Sequence, residues 1–299
     1  GPAAFLEKQM SPRSVGIGYA CASVCKDAAS MHSNPALMPY YDGGFQVSAH
    51  DAVMTQFLEV NNSIILLDFL SLGIGYRTVS SPGMGVTEYD EASDRYQLTG
   101  TEYGYSADAL VLGFAMELYK NKSDTLRFSM GSTGKFITET MNGYVGKGVS
   151  WDLGTYLSWH SLGMSIVVRN DNPNAGIKWN TSSELESPLA KRVSLGLGVG
   201  LFNNTVILSS EIEAPVTILD TKASPVIMGG IEYRGLKSIP IRLGYYNGSI
   251  TAGTGLTLGL YQIDYALELP VMDLIEVAGP VHKFGITLHY DRTPKEEIP

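Results

Sequence analysis

From Phe45 onward the chain alternates. Leu70, Leu72, Ile74 and Tyr76 share one face of an extended segment, with Ser71, Gly73, Gly75 and Arg77 on the other. The same period of two returns at Leu110–Tyr119, Leu126–Gly131, Trp151–His160, Gly163–Arg169, Val193–Leu201, Ile241–Tyr246, Tyr261–Leu269 and Phe284–Tyr290. A period of two places alternate side chains on opposite faces of a sheet, which predicts strands and no helix of any length. Residues 79–95 are polar and rich in turn formers, and are expected to be the longest outer loop or an extended hairpin; residues 170–190 are expected to be a second long loop. Asn203–Asn204 and Asn247–Gly248 predict tight turns, because Asn and Gly accept positive φ. The count is about 14 strands.

The two faces differ in kind. One is Leu, Ile, Val and Phe bounded by aromatics such as Tyr76, Tyr119, Trp151, Trp159, Tyr261 and Tyr290; the other is Gly and Ser with scattered Arg, Asp and Glu. An apolar outside with interfacial aromatics and a small, polar inside is the pattern of a transmembrane barrel. Composition agrees. Charged residues are 17% of 299, below the roughly 25% of soluble domains, while Gly reaches 33 and Tyr 17. No apolar run is long enough for a membrane helix; the nearest, Ile64–Tyr76, is broken by Asp68. A net charge of −9 argues against nucleic acid as a partner. No secretory leader is visible, and Gly1–Pro2 reads as a scar of proteolytic processing.

Residues 13–40 stand apart, being small, Gly/Ala/Ser-rich and without alternation. Pro35 biases Asn34 toward an extended conformation and should end any short helix before it. The expected organisation is a leader and lumen plug over 1–43, a transmembrane antiparallel β-barrel over 44–291, and a short charged tail over 292–299. Phe5 and Leu6 are expected to anchor the leader under the barrel. The motif Arg13-x-x-Gly16-x-Gly18, then Asp27-Ala28-Ala29-Ser30 and Asn34-Pro35-Ala36-Leu37, resembles the hatch of FadL/PorV-type outer-membrane barrels, nearer the shorter PorV-like members. Cys21 and Cys25 occupy positions where that family usually carries small residues. They are either two packed thiols or a local disulfide.

The resemblance implies a bacterial outer-membrane barrel, with membrane lipid around it, that takes up or binds small hydrophobic molecules resembling long-chain fatty acids. Its alternative is a non-conducting, PorV-like accessory subunit of a larger secretion or surface-attachment complex. Arg13, Gly16, Gly18, Asp27, Asn34, Pro35, Ala36 and Leu37 are the candidate plug and gate. Arg77, Arg127, Arg169 and Arg242 are candidate lumen ligands for a carboxylate, because a guanidinium offers two parallel donors; the alternative for each is an ion pair with an interior acid such as Asp152, Glu211, Asp264 or Glu268. No phosphate loop, zinc-protease or serine-hydrolase motif occurs, and the five histidines show no ligand spacing. Neither an enzyme, a cofactor nor a metal is expected.

Overall fold

The computed structural model describes residues 3–7, 9–52, 55–90, 93–172, 175–181, 185–216, 224–236, 238–270 and 279–290. The tail expected at 292–299 lies outside them. Sixteen strands follow an irregular N-terminal segment. They are β1 (Gly44–Ala52), β2 (Thr55–Leu67), β3 (Leu70–Asp90), β4 (Arg95–Lys120), β5 (Leu126–Met141), β6 (Tyr144–Trp159), β7 (Leu162–Arg169) and β8 (Gly176–Trp179). The second half comprises β9 (Glu186–Pro188), β10 (Arg192–Leu201), β11 (Val206–Pro215), β12 (Val226–Tyr233), β13 (Ile241–Tyr246), β14 (Ser249–Leu258), β15 (Tyr261–Pro270) and β16 (Val281–His289).

Every pairing is antiparallel between neighbours, and β1 pairs with β16. The result is a closed barrel of 14 strands. Closure leaves no edge in lipid. The remaining two, β8 and β9, are not among the fourteen that close the ring: β8 pairs with Gly146–Val149 of β6, beyond the stretch paired with β7, and β9 with β8. They occupy the connection expected to be irregular, and at four and three residues they are too short to show a period. The segment Ile65–Thr78, with its continuous apolar character, is broken by a turn at Asp68–Phe69.

The alternation sets the faces as expected. Leu112, Leu197, Leu243 and Ile286 point outward and are exposed, whereas Val111, Ser194 and Arg242 are buried. The connections after β2, β4, β6, β10 and β14 are short, and Tyr290, next to the end of β16, lies at the same rim. Tyr119, Trp159 and Tyr261 sit there too, next to their turns. The opposite rim has two-residue turns after β5 and β13 but also carries every long excursion, the β3–β4 hairpin and the connections after β7, β11 and β15, which matches the external end of an outer-membrane barrel. Of the two readings of 79–95, the extended hairpin is the one observed. Beyond Tyr105, where pairing with β5 begins, β4 continues paired with β3 alone.

Residues 3–7 and 9–43 lie against the inner wall of the barrel, most of them buried. A short helix, α1 (Pro12–Gly16), starts with Pro at its first position, where the missing N–H costs nothing. A second, α2 (Ser30–Ser33), ends at Asn34 (φ −153°, ψ 108°), as the following proline requires. A 3-10 turn over Pro35–Tyr40 follows, and Asn34 Oδ1 accepts from Ala36 N–H at its start. Cys21 and Cys25 form a disulfide, with Cα atoms 4.9 Å apart. The leader does not sit under the barrel. Phe5 is buried near the external rim, in a cluster with Val79, Ala109 and Ile177, because the inner wall there is apolar rather than Gly/Ser.

Candidate functional site

The plug is tied to the wall around most of its circumference. Gly18 N–H donates to Thr251 Oγ1 at 3.1 Å on β14, and Tyr19 OH to Glu268 at 2.6 Å on β15. Ala22 N–H donates to Glu211 at 2.9 Å on β11. On the opposite side Ser129 Oγ of β5 donates to Ala36 O at 2.6 Å, and Arg169 of β7 donates to the carbonyls of His32 and Ser33 at 3.2 and 2.9 Å. Each bond satisfies backbone that has left regular structure inside a closed lumen, where an unpaired group is costly.

The gate candidates occupy distinct parts of this scaffold. Arg13 donates to Glu232 at 3.1 Å, lies 3.7 Å from Asp27 and donates to Val24 O at 3.2 Å, so it joins plug to wall and closes the plug on itself. Asp27 Oδ1 accepts from Ala29 N–H at 3.0 Å. Asn34 is fully used: Nδ2 donates to Ala22 O at 2.8 Å and to Thr155 O of β6 at 3.1 Å, while Oδ1 holds Ala36. Pro35 backs onto Gly131, where an added Cβ would stand 2.6 Å from the Pro35 carbonyl carbon, and Ala36 and Leu37 are wholly buried. Gly16 and Gly18 let plug backbone touch wall backbone. Gly18 has φ +65°, and a Cβ there would meet Gly229 O and Tyr245 N at 2.5 Å.

The four wall arginines are all paired. Arg77 donates to Glu59 at 2.7 Å and to Phe5 O at 3.3 Å. Arg127 binds Glu117 at 2.5 Å, Arg169 binds Glu213 at 2.9 Å, and Arg242 bridges Glu232 at 3.1 Å and Asp264 at 2.7 Å. They are spread over β3, β5, β7 and β13 and do not converge on one ligand. A carboxylate at any of them would displace an existing partner, so the geometry favours the ion-pair alternative. His32 of the plug sits in the Arg77 network with Nε2 2.7 Å from Asn61 Oδ1 and 3.7 Å from Glu59. Burial pulls its pKa down to about 4 despite Glu59, so it is neutral at pH 7.

Sequence reasoning missed an apolar space. Between the leader and the external end of the wall lies a cavity of about 590 Å³, lined by Phe5, Met10, Phe57, Val79, Met141 and Trp179 among others. Its polar lining includes Glu139, which accepts from Ala3 N–H at 2.6 Å and Tyr105 OH at 3.2 Å. Val79 lines it, and with Val111 and Ile137 of the adjoining buried cluster it breaks the Gly/Ser pattern of the minor face. That local break was the available signal.

No protein-family model and no curated protein matches the chain. Solved structures do. The toluene transporter TbuX of Ralstonia pickettii superposes with a TM-score of 0.61 at 12% identity, over 94% of this chain and 98% of that one. The toluene transporter TodX of P. putida gives the same score, identity and coverage. A Pseudomonas aeruginosa FadL homologue gives 0.58 at 9%, over 95% of this chain and 99% of that one. The fold is that of the FadL-type outer-membrane barrels. FadL-type likeness over nearly the full length of both chains agrees with the closed ring and its apolar outer belt.

Proposed function

We propose that this FadL-type barrel takes up small, predominantly apolar molecules across the outer membrane. The observation that carries it is the apolar cavity at the external end of the lumen, lying against the leader. A concave, mostly apolar chamber with few polar groups is what a hydrophobic ligand requires. None of the four wall arginines lines this chamber, whose lining exposes mainly apolar surface around Glu139, His50 and Lys283. Hydrocarbon-like or weakly polar compounds therefore fit it better than a fatty-acid carboxylate, in keeping with the toluene transporters among the structural neighbours. Val79 is the test position, being buried on β3 and lining the cavity. Val79→Asn should weaken binding of toluene to the reconstituted protein by about tenfold, the order expected for a desolvated amide in an apolar site. Unchanged toluene binding would remove this cavity as the capture site.

In this reading residues 1–43 act as leader and plug, and the Asn34–Leu37 turn keeps the gate shut. Asn34→Ala with Pro35→Gly strips partners from Ala22 O, Thr155 O and Ala36 N–H. Each buried group so exposed costs about 1–3 kcal/mol. Liposome permeability to small solutes should rise; a double variant as tight as the native protein would reduce the turn to a folding element.

The accessory alternative has one observation of its own, the projecting β3–β4 hairpin. Near its tip Tyr96 and Leu98 are 74% and 73% exposed. Shortening that hairpin would abolish capture of a large partner while sparing toluene binding, if docking is its role.

A further inference from the structure

At the short-turn end, beneath the plug, a second cavity of about 340 Å³ has the opposite chemistry. Arg13, Lys26 and Arg234 line it, with His160 nearby, and its lining contains no carboxylate. Two of these cations are already neutralised. Arg13 pairs with Glu232 and Asp27, and Arg234 pairs with Glu232. Lys26 is not. Among the described residues its ammonium meets no acid and no hydrogen-bond acceptor, and only the rings of Tyr40 and Tyr156 face it, with centroids 5.0 and 5.4 Å away. Arg127, paired with Glu117, stacks 4.2 Å from the same Tyr40 ring and adds positive potential. Ser23 lines the cavity as well. It is 3% exposed, and its Oγ has no partner among the described residues.

A withdrawn ammonium is unfavourable without a counter-charge, and aromatic faces offset only part of that cost. An orphaned hydroxyl lining the same cavity adds a second unmet donor. An oxyanion answers both at once, accepting from Nζ and Oγ. One unpaired positive charge suits a monoanion.

We propose that this cavity is an anion seat at the periplasmic end of the lumen, taking a carboxylate or phosphate group between Lys26 Nζ and Ser23 Oγ. The seat is separate from the external apolar chamber and does not depend on it. The group arrives either as a free anion from the periplasm or as the head of an amphiphile. Burial, then the charges of Arg127, Arg13 and Arg234, pull the Lys26 pKa down to about 8. The other titratable groups around the cavity are Tyr40, Tyr156, His160, Glu232 and Asp27. A bound anion favours the charged amine, so affinity is full below about pH 8 and declines above it.

The test is calorimetric titration of the full chain in an uncharged detergent with acetate, inorganic phosphate, octanoate and octanol. A charge-assisted hydrogen bond is worth about 1.5–3 kcal/mol, so Lys26→Met should weaken anion binding by about tenfold or more. Lys26→Arg should retain binding, Ser23→Ala should lose severalfold, and octanol should be indifferent to all three. Acetate and phosphate binding as well as octanoate marks a free-anion seat; affinity that grows with chain length marks an amphiphile head. Val79→Asn should leave the anion series unchanged, which separates failure here from failure at the external chamber. Two results overturn the seat: no anion binding by the native protein, or Lys26→Met binding the anions as the native protein does. Should Lys26→Met fail to fold, the native pH profile decides, and a flat affinity from pH 7 to 9 refutes the assignment.

Discussion

Gly244→Val should unseat the plug while leaving the barrel closed. Gly244 lies on β13 with its missing side chain aimed at the plug, and a Cβ there would stand 2.1 Å from Gly18 N and 2.4 Å from Ile17 C. These are backbone atoms, which no rotamer change moves aside. The neighbouring wall is equally bare: a Cβ at Gly230 would stand 2.4 Å from Ile17 O. Gly18 answers from the plug side with its φ of +65°, so the close approach is built from glycine on both partners. Overpacking a filled interior costs about 1–3 kcal/mol where side chains can yield, and more where only main chain is available. Displacement also breaks the Gly18-to-Thr251 and Tyr19-to-Glu268 bonds nearby. The barrel itself should tolerate the change, because Val is a good strand residue. The expected result is a several-fold rise in single-barrel conductance and protease cleavage within residues 14–40. Gly104→Ala is the control, since its nearest neighbour, Ser81 O, lies at an ordinary 3.7 Å. A Gly244→Val protein as closed and as protected as the native one would mean the plug is held elsewhere.

The same glycine shows what the sequence could and could not reveal. Gly244 was legible as an inward position, because Ile241, Leu243 and Tyr245 fix the alternation beside it. Which plug residue it faces was not, since a period of two carries no information about what crosses a lumen. Arg77, Arg127, Arg169 and Arg242 illustrate the same limit. Their inward direction followed from the pattern, but their partners Glu59, Glu117, Glu213 and Glu232 depend on register between strands up to 44 residues apart. The leader was misplaced for a related reason. Phe5 and Leu6 announce burial but not depth, and the apolar wall that receives Phe5 is assembled from β3, β4 and β8. Asn34-Pro35 was the most readable site, because capping and pre-proline restriction are local physics.

Arginine on the outer face should destabilise the barrel according to depth. Leu197 is 46% exposed, points away from the lumen, and lies five residues from the short turn that follows Phe202. Five residues of strand, tilted about 40°, climb roughly 12 Å, near the middle of an apolar belt about 25 Å tall. There a guanidinium can reach neither water nor headgroups without deforming the bilayer. Leu197→Arg is therefore expected to cost about 2–4 kcal/mol in a reversible folding assay in bilayers. That is a roughly 30- to 700-fold loss in the folding equilibrium. Leu258, the last residue of β14, is also exposed but borders the turn at Gly259. Leu258→Arg should cost only about 0–1 kcal/mol, since its charge snorkels to the interface. The gradient between the two sites is the informative quantity. General damage to a strand would penalise both alike, and a soluble barrel would penalise neither. A large loss at 197 beside a small one at 258 requires lipid against the leucine face, with the short-turn rim at its boundary.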